Sequence, residues 1–140
     1  MIQWLRGLMR RAGSPGEWSV ATGVEDGQPV VVRTRSRAPG GMTTEAYPAS
    51  VEIVWLYDER GRGGMPASET TAKMAAWEDT VGALEGPGTG LLWMTVTGRG
   101  RREWIWFVAD ADAFVARVGE LLARSHDRPP VEVRRCMPRE

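Results

Sequence analysis

One cysteine, one histidine and one lysine occur in the 140 residues of this chain, and each scarcity excludes something. A lone Cys136 forbids an intrachain disulfide and points to a reducing compartment. His126 and Cys136 alone cannot build a closed zinc site. Neither glycine-rich loop, 61–64 or 86–90, ends in the Gly-Lys-Ser/Thr that places a lysine and a hydroxyl on phosphate and magnesium, so neither is a P-loop. No apolar run approaches the ~20 residues of a membrane span. The start of the chain is broken by Arg6, Gly7, Arg10 and Arg11, so it lacks the apolar core of a secretory signal. Charge of one sign is missing too. Eighteen basic and eighteen acidic residues cancel, which removes the basic excess that clamps many phosphates. A cytoplasmic protein follows, with one domain, since single cores of this length are the commonest.

The abundant residues are tryptophan, seven against two Phe and two Tyr, and arginine, since Lys73 is the only Lys among the basic residues. Residues 1–16 read as an arm, with a short amphipathic helix over 1–12, before Gly13, Ser14, Pro15 and Gly16 break the chain. The domain proper spans 17–137. Residues 18–23 and 29–36 read as strands joined through Asp26-Gly27, a hairpin signal. Segment 37–49 is a Pro/Gly/Thr-rich loop of a length that is often functional. Residues 50–58 form a strand with Val51, Ile53, Trp55 and Tyr57 on one face. Loop 59–66 leads to a helix over 67–85, with Ser68 as N-cap and the stripe Met74, Trp77, Val81 and Leu84. Residues 90–97 and 101–108 form a second hairpin, turning at Gly98-Arg99-Gly100. Asp110 caps a helix over 111–124 with the stripe Phe114, Val118, Leu121 and Leu122. Pro129-Pro130 precedes a strand over 131–136. From residue 50 the order is β-α-β-β-α-β, which predicts an α+β, ferredoxin-like antiparallel sheet with two helices on one face, preceded by an extra N-terminal hairpin.

The order of several features resembles a bacterial domain-of-unknown-function family, number 695. These are Trp18 before a first strand; Asp26-Gly27-Gln28-Pro29 at its turn; and Gly64-Met65-Pro66 leading into a helix. Then come Thr97, Gly100-Arg101-Arg102-Glu103-Trp104, Asp110 and Phe114. The resemblance covers roughly residues 17–136. It implies no catalytic residue, since that family has no established activity. A more distant likeness to the B-type regulators of ribonuclease E activity implies a ferredoxin-like domain that works by protein contact.

No convergent catalytic set is visible, so the expected protein is not an enzyme and needs no cofactor or metal. His126, just past a helix end, reads as a surface residue that interacts with the helix dipole. Cys136 reads as a packing residue. The pairs Glu25-Asp26, Asp58-Glu59 and Glu78-Asp79 read as solvated surface. The expected function is a binding or regulatory domain that uses a sheet face and the 37–49 and 59–66 loops to hold a protein partner or a second copy of itself. The alternative is a small-ligand or single-stranded RNA binder. The candidate binding residues are Trp55, Tyr57, Trp104 and Trp106 on the central strands, with Arg99, Arg101 and Arg102 at the hairpin tip. Neutral charge and the Glu at position 103 weigh against nucleic acid, and the short arm weighs against a membrane. The same tryptophans can instead form the core or a subunit contact. Trp104 and Trp106 share one face and Ile105 and Phe107 the other, so only one pair lies beneath the helices.

Overall fold

The computed structural model describes residues 9–10 and 18–136. The arm expected over 1–16 lies outside them except at Met9–Arg10, which form a two-residue strand, β1. The other strands are β2 (Trp18–Glu25), β3 (Gln28–Arg35), β4 (Ala49–Leu56), β5 (Gly90–Gly98), β6 (Arg101–Val108) and β7 (Val131–Cys136). The helices are α1 (Ser68–Gly82) and α2 (Ala111–Arg124). All strand pairs are antiparallel, in the order β1-β2-β3-β5-β6-β4-β7. The architecture is α+β, and the hairpin β2–β3 extends the sheet beyond β5.

Both hairpins turn where the sequence requires positive φ. Asp26 and Gly27 have φ of 49° and 78°, and Arg99 and Gly100 have 54° and 81°, the backbone of a two-residue turn that matches strand twist. Because β3 pairs with β5, the two tips lie side by side. Arg99 bonds Glu25 and reaches Asp26 Oδ2 at 2.8 Å. Gly98 sits where the hairpins meet: a Cβ there would lie 2.7 Å from the Pro29 carbonyl oxygen.

The tryptophan question resolves in favour of the core. Val51 pairs with Trp106 and Ile53 with Trp104. Together with Trp55 they meet Met74, Trp77 and Val81 of α1 and Phe114, Val118 and Leu122 of α2 in one cluster. Trp106 packs on Phe114 with ring centroids 4.9 Å apart. Each large aromatic buries ~150–250 Å², so truncating Trp104 or Trp106 to Ala should cost about 3–5 kcal/mol. Among the described residues the opposite sheet face carries no α-helix. Loop 37–49 folds over part of it, and a 3-10 turn at Thr44–Ala46 brings Tyr47 against Leu91 and Phe107. Trp93 lies on that same side, stacked on Phe107 at 5.0 Å, and an irregularity between Leu92 and Met94 brings Met94 there beside it.

Helix α1 starts one residue later than expected. Ala67, not Ser68, occupies the N-cap and makes no side-chain cap bond. Asp110 does cap α2, accepting from the Ala113 N–H at 3.0 Å.

Candidate functional site

The seven residues singled out from sequence do not form one surface. Trp104 and Trp106 are fully buried under the helices, and Trp55 is 5% exposed. The open sheet face that base stacking needs is therefore not where these rings are. Arg99 is engaged at the hairpin tips. Arg101 lies on the helix-free face, bonded to Glu103 at 2.7 Å, whereas Arg102 lies on the helix face and donates to Thr97 Oγ1 at 2.8 Å. Side chains alternate across a strand, so adjacent arginines cannot act together.

Trp55 and Tyr57 do reach a candidate site. An open groove of about 540 Å³ runs between α1 and the segment that links α2 to β7. Trp55, Tyr57 and Trp77 line it, Lys73, Asp58, Asp127 and Arg128 add charge, and Pro129-Pro130 contribute apolar surface. The Trp77 indole N–H is buried with no partner among the described residues. Tyr57 donates its hydroxyl to the Gly64 carbonyl at 2.6 Å, and burial pushes its pKa up to about 12. That bond ties the 59–66 loop to the strand end. A backbone bond from Gly100 N to Gly64 O, at 3.0 Å, ties it to the hairpin tip as well. Asp58 is held well below the usual carboxylate range by its hydrogen bonds from Arg60, so its charge is matched beside the groove.

Next to α1, on the same sheet face, lies a polar network that sequence reasoning missed. Arg33 donates to Glu78 at 2.7 Å, and the other Glu78 oxygen accepts from Trp104 Nε1 at 2.8 Å. Arg35, 7% exposed, bonds Glu85 at 2.8 Å and the Leu92 carbonyl at 2.7 Å. Both guanidinium groups lie over the Trp18 ring, 4.8 and 4.5 Å from its centroid. Glu78 is therefore not solvated surface; it joins β3 to α1 and satisfies a core indole. The available signal was partial: Arg33 and Arg35 share a strand face, but of their partners only Glu78 lies in α1, and Glu85 follows its end.

A third cluster sits on the helix-free face. Glu103, 5% exposed, faces Glu52, Arg101 and Arg134. Burial, and then the hydrogen bond and charge of Glu52, push the Glu103 carboxyl up to about 8. The 2.7 Å contact with Arg101 opposes this, but Arg101 is 48% exposed, and a solvated partner offsets little of a burial penalty. Cys136 lies 3.9 Å from Glu52 Oε2, and burial pushes its thiol up, away from the thiolate a nucleophile requires. His126 lies at the groove, at the opposite end of β4 from Cys136, which pairs with Ser50. Among the described residues no three His, Cys, Asp or Glu side chains are placed to hold a metal ion. Among them, too, no helix is long and apolar enough to cross a membrane.

A protein-family model described as "Family of unknown function (DUF695)" matches residues 16–134. No curated protein and no solved structure matches the chain.

Proposed function

We propose, from the premise that this chain belongs to the family of unknown function DUF695, that it is a non-enzymatic binding or regulatory domain acting through protein contacts. The groove beside α1 is its docking site. One observation carries this reading: the groove has an aromatic lining, Trp55, Tyr57 and Trp77, and a mixed charged edge. Concave sites of that make-up receive the buried anchor side chains that dominate partner affinity. The loop 37–49, by contrast, is committed to covering Leu91 and Phe107, and 59–66 is tied to the hairpin tip. The partner surface therefore moves from the loops to the groove. A small ligand is the second reading, favoured by a volume within the ~300–1,000 Å³ of small-molecule sites.

We also read the unit from β4 to β7 as ferredoxin-like with an added N-terminal hairpin. The neighbour order β5-β6-β4-β7, the antiparallel pairings and the packing of both helices against one cluster support that reading.

The test uses anilinonaphthalene sulfonate, whose flat apolar body and anionic group suit such a lining. Fluorescence titration should saturate at one site per chain. Ala76→Trp, on the exposed side of α1 at the groove, should abolish binding without moving the melting temperature. Unchanged binding by A76W, or no saturable binding by the native chain, sinks the assignment. A peptide array with aromatic anchors, read with native protein and A76W, then separates a protein segment from a small ligand.

A further inference from the structure

We propose that β7 is the edge at which two copies of this chain join, antiparallel about a two-fold axis at Val133. The proposal does not rest on the groove. Among the described residues β7 pairs on one side only, with β4, and so ends the sheet. An antiparallel strand directs half of its N–H and C=O groups to each side, which leaves one row open to another strand.

The sequence of β7, Val-Glu-Val-Arg-Arg-Cys, selects both the partner and the register. Val131 and Val133 are half-buried and pack against the core. Glu132 and Arg134 stand exposed on the other face, bonded to each other at 2.7 Å. In a two-fold antiparallel pair, residues directly opposite each other lie on the same face. An axis at Glu132 sets Glu against Glu. An axis at Arg134 or Arg135 sets Arg against Arg. Like charges directly opposite are destabilising. An axis at Val131 or Cys136 leaves little of the strand overlapping. Only an axis at Val133 overlaps residues 131–135 while setting Glu132 of each copy opposite Arg134 of the other. The existing pair within the strand then becomes a ring of four alternating charges. Val133 meets Val133, and the apolar stem of Arg135, whose guanidinium is bonded to Asp112, covers Val131. Charged residues of one sign protect an edge from pairing; here the alternating signs make the edge complementary to itself.

Sedimentation of the full chain, from about 1 µM to about 1 mM, the span of weak association, tests this. The expected result is a concentration-dependent rise to twice the chain mass. Glu132→Arg and Arg134→Glu should each weaken association by roughly tenfold or more, because symmetry repeats every like-charge pair. The double variant E132R/R134E, with both signs exchanged, should restore it. Circular dichroism of each variant establishes that it is folded. A native chain that stays monomeric across the range overturns the proposal, as does a dimer indifferent to E132R or a double variant that remains monomeric. Sulfonate-probe binding is unaffected by any of these outcomes, so the groove stands or falls separately.

Discussion

Glu103 shows how much one side chain changes meaning with its surroundings. Nothing in the run Arg101-Arg102-Glu103-Trp104 distinguishes it from a surface carboxylate of a charged hairpin. In the fold it is 5% exposed beside Glu52. Its pKa rises from an ordinary 4.5 to about 8, so the folded chain holds this proton more tightly than the unfolded chain does. The stability it contributes is complete below pH 4.5 and is lost as the pH rises through about 8. The charged and titratable neighbours that set this balance are Glu52, Arg101 and Arg134. Glu103→Gln should therefore flatten the pH dependence. Urea midpoints of native protein and variant at pH 5, 7 and 9 should diverge towards alkaline pH, the variant becoming the more stable. Parallel curves would show that Glu103 does not titrate in this window.

Elements were more legible than residues, because periodicity reports burial directly. Met74, Trp77 and Val81 of α1 and Leu84, just past its end, are buried, as are Phe114, Val118 and Leu122 of α2. Asp26-Gly27 and Arg99-Gly100 turn where their φ angles require. What the pattern could not show is partnership across the sheet. Arg33 and Arg35 alternate with Val32 and Thr34 as a wet strand face does, yet they meet Glu78 and Glu85 because β3 lies next to β5 under α1. Likewise the groove exists only because the segment after α2 passes near Trp55 and Lys73. The difference between the helix starts yields a paired prediction. Asp110→Ala removes the α2 cap and should cost about 1 kcal/mol, whereas Ala67→Asp supplies the cap α1 lacks and should gain up to about 1 kcal/mol. Thermal unfolding of both variants measures the asymmetry, and a loss with A67D would contradict it.

At the scale of the molecule, the sheet has two unlike sides. One is sealed by two helices over three tryptophans, and the other, among the described residues, is covered in part by the loop around Tyr47. The position of β6 carries a further consequence. It lies between β5 and β4, so every hydrogen-bonded path from the β1-β2-β3-β5 half to the β4-β7 half crosses it. Freeing its amides requires separating both halves at once, so opening there amounts to global unfolding rather than local fraying. In the monomeric chain, native-state amide exchange should be slowest along Arg101–Val108 and faster in β1 and β7, at the two ends of the sheet. β6 meets β5 through a two-residue turn but meets β4 across α1 and β5, so the two halves couple through a non-local pairing, the slower kind to form.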